Sequence, residues 1–193
     1  MVNLIRAYKS LQVADFTVIN LGSHAVVNQC NSVAMSGAGN GGASNLTILT
    51  KPVPTYPYTI TLHCKDYGQG ASYYGYGLCW RDSISRGIVA NVCYSGATIY
   101  TNTSRVSAYY NETAFAGDYV SAPTWLLYPE WFRISDDGVN RKSFISADGV
   151  NWHLLHSIAR TTYITANQVG FFIDPYSASA IVLFDSFEIE EHA

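Results

Sequence analysis

The chain has 193 residues, enough to bury a real core in one domain of β-sandwich size. Only 13% of them are charged, against about 25% in ordinary domains, and the formal net charge is -3. That balance gives no electrostatic case for nucleic acid or an anionic membrane, and no apolar run approaches the roughly 18 residues of a membrane span.

Polarity is carried by Ser, Thr, Asn and Gly together with 15 Tyr, the composition of a β-protein with a hydroxyl- and amide-rich surface. Met1–Leu11 carries Arg6 and Lys9 but no apolar core of about seven residues after them, so no secretory leader is expected. Cys30, Cys64, Cys79 and Cys93 form no CxxC pair, and three of them lie inside apolar runs. Free thiols are expected rather than disulfides. The sequons at Asn45, Asn102 and Asn111 are read as chance matches in an Asn/Thr-rich chain.

In chain order, Met1–Leu11 is a short helix or a lead-in. Phe16–Leu21 and His24–Cys30 read as the first strands, and Ser36–Asn45, SGAGNGGASN, as a loop. Asn45–Lys51 is a strand stopped by Pro52 and Pro54, and Pro57 delays the next. Tyr58–Lys65 alternates cleanly, with Tyr58, Ile60, Leu62 and Cys64 on one face. Tyr67–Tyr76 reads as a Gly/Tyr loop, followed by strands at Gly77–Arg81 and Ile88–Tyr94. Gly96 turns the chain into Thr98–Thr103, and Arg105–Tyr110 follows. Asn111–Pro123 looks like a long surface loop, and Trp125–Tyr128 a short run before Pro129.

The clearest local signal is WFRISDDGVNRKSFISADGVNW, residues Trp131–Trp152. Two alternating runs each end in Asp-Gly, at Asp137-Gly138 and Asp148-Gly149, within a repeated Asp-Gly-Val-Asn. Asp-Gly between such runs marks a hairpin, because its residues tolerate positive φ. A three-strand meander to about Ser157 is therefore expected. Ala159–Asn167 is ambiguous, though its β-branched run favours extended structure. Gln168–Ile173 and Ala180–Glu190 are the last strands; in the latter, Ile181, Leu183, Phe187 and Ile189 fall on one face.

About a dozen short strands at regular spacing, with no long helix, predict an all-β, two-sheet antiparallel sandwich of the jelly-roll type.

Catalytic and metal patterns are weak. Glu188 and Glu190 share a strand face, but no Asp lies between them, and a terminal strand at a sheet edge would leave them solvated. Asp136, Asp137 and Asp148 sit at hairpin tips, where turn chemistry explains them; D-D-G lacks the spacing of a calcium loop. His153 and His156, three apart on a strand, point to opposite faces. No nucleophile elbow, phosphate loop or basic track is present. The expectation is a non-enzymatic protein with no metal and no cofactor. The remaining candidates are aromatic: Tyr67, Tyr73, Tyr74 and Tyr76 in one Gly-rich loop, and Tyr109, Tyr110 and Tyr119 around another. Rigid Tyr faces with polar tips suit sugar rings and protein partners alike. Tyr73, Tyr74, Tyr76 and Tyr110 are the candidate ligand-binding residues, and the four Trp are read as core or sheet-covering.

Four pieces stand in order: FTVINLGSHAVV, PYTITLHC, GLCWRDSISRGIVAN, and the Trp131–Trp152 block closing with LFDSFEIEE. Together they resemble concanavalin A-like jelly-roll domains of bacteriophage tail and appendage proteins, over roughly residues 15–190. The resemblance implies residues 1–14 as a lead or attachment segment and 15–193 as the sandwich. It implies a virion-surface location, with host-surface glycan or receptor recognition. Other virion proteins would be partners, and a homo-oligomer such as a trimer is expected. The alternatives are a capsid-decoration or tail-fibre assembly domain and a glycan-cleaving enzyme.

Overall fold

The computed structural model describes residues 10–68, 73–95, 103–123 and 129–192. Among these the one helical element is a 3-10 turn, Val13–Asp15. Everything else regular is strand. The strands are β1 Thr17–Ile19, β2 Ala25–Gln29, β3 Ser32–Gly37, β4 Thr47–Pro52, β5 Tyr58–Asp66, β6 Tyr74–Arg81 and β7 Ile88–Ser95. They continue as β8 Thr103–Asn111, β9 Ala114–Pro123, β10 Trp131–Asp136, β11 Asn140–Ser146, β12 His153–Ala159, β13 Gln168–Asp174 and β14 Ala180–Glu191.

They form two antiparallel sheets of seven strands. Sheet I runs β1-β4-β13-β6-β7-β8-β9, and sheet II runs β12-β11-β10-β5-β14-β3-β2. The chain crosses repeatedly between the layers, as a jelly roll does. The expected fold class is the one observed.

The main core lies between the sheets. In β5 the alternation holds: Tyr58, Ile60, Leu62 and Cys64 are buried while Thr59, Thr61 and His63 are only partly covered. Phe132 and Ile134 of β10 pair with Leu62 and Ile60, extending that face. Leu11, within the expected lead segment, is also buried there, and its N–H donates to the Asn31 carbonyl at 2.9 Å. The Trp131–Trp152 block is the expected meander, β10 to β12, with Gly138 and Gly149 at positive φ in its two tips.

Four expectations are corrected. Ser32–Gly37, passed over before the loop, is a strand of sheet II; Val33 and Met35 point inward, but six residues ending in Gly give little alternation to detect. The loop expected over Asn111–Pro123 is mostly β9, an edge strand whose pairing with β8 shifts register three times, so no period survives in its sequence. The terminal strand β14 is not at an edge but between β5 and β3. A bulge at Asp185 resets its phase, so Val182, Phe184 and Phe187 face the core while Ile181 lies half exposed. The Gly/Tyr loop ends at Tyr73, because β6 already begins at Tyr74. The expected features at residues 1–9, Gly96–Asn102 and Trp125–Tyr128 lie outside the described residues.

β6 is buried on both faces, which explains its lost alternation. A second apolar cluster covers the outer face of sheet I: Ile48, Cys79, Ile88, Ala90, Val92 and Phe172, with Tyr109 and Leu46. The β8–β9 turn closes over it. Leu46 N–H donates to the Glu112 carbonyl at 2.8 Å, and the Glu112 carboxylate accepts from Arg81 at the end of β6. The turn thus reaches from the end of β6 to the start of β4 across β13.

Candidate functional site

What the β8–β9 turn leaves open on sheet I is a cleft of about 180 Å3 lined by Ser44, Tyr73, Arg105, Phe115 and Tyr176. Five separate parts of the chain supply these residues. Ser44 comes from the β3–β4 loop, Tyr73 from the residue before β6, Arg105 from β8, Phe115 from β9, and Tyr176 from the β13–β14 loop.

Three of them are held from behind. The Tyr73 carbonyl accepts from Ser177 N at 2.8 Å and Ala178 N at 3.2 Å, while Tyr73 N donates to Ser177 Oγ at 3.1 Å. The Tyr176 carbonyl accepts from Asn40 N at 3.1 Å and Gly42 N at 2.9 Å. Gly42, at φ +90°, takes a left-handed conformation that glycine adopts without penalty. Arg105 donates from Nε to Thr103 Oγ1 at 2.9 Å and from Nη1 to Asp118 Oδ2 at 2.9 Å; the other Asp118 oxygen accepts from Ser107 Oγ at 2.6 Å. A fixed guanidinium and carboxylate thus stand together beside aromatic rings. Such a set can donate to and accept from neighbouring hydroxyls while a flat apolar ring face packs against Tyr or Phe.

Beneath Ser44 lies Asp174, fully buried. Its Oδ1 accepts from Asn45 N at 2.8 Å, and its Oδ2 meets no hydrogen-bond donor within normal distance among the described residues. Burial pushes its pKa up to about 6; the Asn45 amide and the Ser44 hydroxyl pull back part of the way. Asn45 also donates from Nδ2 toward His24 Nε2 at 3.2 Å, and His24 Nδ1 lies 2.6 Å from Thr47 Oγ1, which itself donates to the Asn20 carbonyl. This chain of bonds suits a neutral imidazole with its proton on Nδ1, and burial lowers the His24 pKa accordingly.

Of the four candidate tyrosines, Tyr73 lines this cleft and is 41% exposed. Tyr74 and Tyr76 are corrected: both are buried to 1% exposure and present no ring to a ligand. The Tyr-Gly-Tyr-Gly alternation of β6 turns both rings into the main core and leaves Gly75 and Gly77 on the outer face. The Tyr74 hydroxyl lies 2.7 Å from each Asp66 oxygen, and the Tyr76 ring meets Phe132 edge-on at 5.8 Å. Tyr110 is 62% exposed but sits at a β8 bulge near Tyr163, and it does not line the cleft with Tyr73. Tyr109 is buried in the second apolar cluster, and Tyr119 stacks on His156. Phe115, Tyr176, Arg105 and Ser44 were not singled out in the sequence; only topology brings them together.

The remaining polar candidates are accounted for. Glu188 stands beside Thr61 and Arg133 on the outer face of sheet II, not at a solvated edge. Asp137 accepts from Asn140 N, Lys142 Nζ and Val139 N, which pull its pKa down to about 2. Asp148 is likewise lowered, chiefly by the Asn151 amide. No group of three metal-ligating side chains occurs among the described residues. Trp80 is core. Trp131 lies against His63 with centroids 4.3 Å apart, and Trp152 lies under Arg133 at 3.8 Å. All four cysteines are free, and Cys30 is exposed.

No family model and no curated protein matches the sequence. Solved structures do match in shape. A functionally unknown protein from Saccharomyces cerevisiae superposes with a TM-score of 0.67 at 10% identity, covering 95% of this chain and 100% of that one. The carbohydrate binding module CBM66 from Bacillus subtilis gives 0.55 at 9% identity, over 92% and 98%. The catalytic domain of an endo-1,3-beta-glucanase from Thermotoga petrophila gives 0.56 at 10%, over 87% and 81%. At such identities these likenesses establish the fold, a jelly-roll sandwich of the concanavalin A-like lectin and glucanase kind, and nothing narrower.

Proposed function

We propose that this domain is a non-catalytic glycan-recognition module. It holds one sugar ring in the cleft between Tyr73, Tyr176 and Phe115, against the Arg105–Asp118 pair. The observation that carries this reading is the convergence on one open cleft of three aromatic side chains with the Arg105 guanidinium, which Asp118 holds in place. A carbohydrate-binding module among the structural neighbours adds support. The cleft is small for a chain, so it suits a terminal or branching sugar.

The non-catalytic reading rests on the carboxylates. Hydrolysis of a glycosidic bond needs two of them facing the substrate. Of the carboxylates near the cleft, Asp118 is tied to Arg105 and Ser107, and Asp174 is sealed below Ser44. The glucanase neighbour keeps hydrolysis a testable alternative, since its fold is the same.

For the setting we propose the surface of a bacteriophage virion, where the module would contact a host glycan. The resemblance of the Trp131–Trp152 block and the closing strand to phage appendage domains is what supports it. A purely assembly role in a tail fibre or capsid is the rival, and a stable trimer with no glycan affinity would favour it.

A glycan array followed by calorimetry tests the binding reading. Tyr73→Ala and Tyr176→Ala are each expected to weaken binding at least tenfold while leaving the fold intact. Product release from the bound polysaccharide would overturn the non-catalytic part. Absence of any glycan ligand would overturn the whole.

A further inference from the structure

We propose that two copies of this chain join along β2, each pairing that strand with the other's about a two-fold axis, so that sheet II runs on from one protomer into the next. The two sheets end in four edge strands: β1 and β9 in sheet I, β12 and β2 in sheet II. An open edge offers unpaired N–H and C=O groups to another strand, and folds guard against that with short strands, bulges, charge or proline. Three of the four edges are guarded. β1 is three residues long. β9 shifts register three times against β8, and β12 is set off from β11 by a bulge between Ser143 and Phe144.

β2 has no such guard. Its five residues, Ala-Val-Val-Asn-Gln, pair with β3 in unbroken register from Ala25–Ser36 to Gln29–Ser32. They include no charge, no proline and no glycine. Ala25, Val27, Asn28 and Gln29 are exposed, Val27 to 50%. The 3-10 turn meets this strand at Asn28, whose Oδ1 accepts from Val13 N at 2.8 Å. Among the described residues no backbone group outside β3 bonds to the β2 backbone.

The face beside the edge is of the same kind. Val27 stands across from Ala34, and Ala34 from Leu183, in one row on the outer side of sheet II. A groove of about 280 Å3 lies there, lined by Gln29, Ala34, Tyr67, Ile181, Val182 and Leu183. Tyr67 and Ile181 are, like Val27, half exposed. β3 and the first half of β14, Ala180–Phe184, carry no charge either. Charge returns only at Lys65, across from Leu183, and at the Asp185 bulge.

That neutrality selects the occupant. A charged partner would lose hydration here with nothing to pair against. A second β2 brings the same neutral residues and an edge with the same unmet donors and acceptors. Antiparallel pairing centred on Val27 sets Val27 against Val27 and Ala25 against Gln29, and keeps the outer face of one sheet continuous with that of the other. Isologous closure of this kind stops at two, which separates it from the trimer that the likeness to phage appendage domains implies.

Sedimentation equilibrium of the whole chain tests this. At micromolar concentration the wild type is expected at twice the 21.2 kDa of one chain. Val27→Lys sets two ammonium groups face to face in the seam. It is expected to raise the dissociation constant about a hundredfold or more while keeping the wild-type circular dichroism. Val139→Lys, at the β10–β11 tip several strands away from β2, is expected to change nothing. A monomeric wild type, a trimer, or a dimer that survives Val27→Lys would overturn the proposal. Should Val27→Lys fail to fold, a short bis-maleimide applied to Val27→Cys in a Cys30→Ser background decides. Chains joined in pairs support the seam, and chains left single refute it.

Discussion

Arg81 and Glu112 meet where solvent does not reach. Arg81 donates from Nε at 3.0 Å and from Nη2 at 2.7 Å to the same Glu112 oxygen, and the Glu112 side chain is fully buried. Arg86 takes the other oxygen from a more exposed position. Two guanidinium groups on one carboxylate fix the β8–β9 turn over the second apolar cluster. They also hold the glutamate's pKa below its ordinary value against the opposing effect of burial.

Glu112→Gln should therefore do more than remove one contact. It strands the buried Arg81 without its counter-charge and loosens the lid over Ile48, Cys79 and Phe172. We expect a loss of about 3–5 kcal/mol in denaturant unfolding, or a melting point lower by roughly 6–20 °C. Because the depressed carboxyl stabilises the fold when ionised, the wild-type advantage should be complete above the unfolded pKa. It should shrink as pH falls through the lower folded value. A variant melting within a degree of wild type would mean that the turn is held by something else.

Asp174 works in the opposite sense. Its carboxyl is raised to about 6 in the folded chain, above its ordinary 3.8, so the native state binds more protons than the unfolded state between those values. Stability is then lost as pH rises through this window and stays lower above it. His24 is shifted the other way, so its contribution grows as pH rises from its lowered pKa toward 6.5. The wild-type curve mixes the two, but the difference between wild type and Asp174→Asn isolates the aspartate. That difference should be near zero below pH 4 and favour the variant by up to about 3 kcal/mol at pH 7. A variant equal to wild type at neutral pH would contradict a buried, half-satisfied carboxylate.

The repeated Asp-Gly-Val-Asn offers a controlled comparison. Gly138 and Gly149 occupy equivalent turns at φ +88° and +72°. A Cβ at Gly138 would meet only the Tyr56 ring, at 3.3 Å, whereas at Gly149 it would press on the Trp131 indole at 2.9 Å. Gly138→Ala should cost about 1 kcal/mol, the price of a left-handed alanine. Gly149→Ala should cost roughly twice that, because Trp131 is already braced by His63 and cannot move freely. Equal midpoints for the two variants would show that Trp131 yields.

These cases also show what a linear reading can and cannot reach. The Asp-Gly turns and β5 were legible because their signals are local: positive φ at fixed places, and period-two burial on a strand with one wet face. Only the start of β6, Tyr74–Tyr76, escapes such a reading, because Tyr-Gly repeats look like a loop; the strand over Gly77–Arg81 is legible. Its outer face is covered by residues from β4, β8 and β13, and small residues are what a doubly buried strand there requires. The cleft was half legible. Tyr73 could be suspected from composition, but Arg105, Phe115 and Tyr176 meet it only through the crossing order of fourteen strands. No spacing in the chain encodes that meeting.

The cysteines give a last, inexpensive check on the layer assignment. Cys64 faces the main core from sheet II and Cys93 from sheet I, while Cys79 lies in the second cluster. Burial pushes the Cys79 and Cys93 thiols up to about 12 and Cys64 well above its ordinary value. Thiolate is the reactive form, so all three should be inert near neutral pH. Cys30, in the β2–β3 turn, is exposed. A disulfide reagent should therefore titrate one thiol rapidly in the native protein and four in denaturant. The three slow thiols should react at the rate of unfolding or local opening. Glu112→Gln should release Cys79 before Cys64, since it uncovers the second cluster and leaves the main core closed. If Cys79 and Cys64 became reactive together in that variant, the second cluster would not be a separately lidded layer.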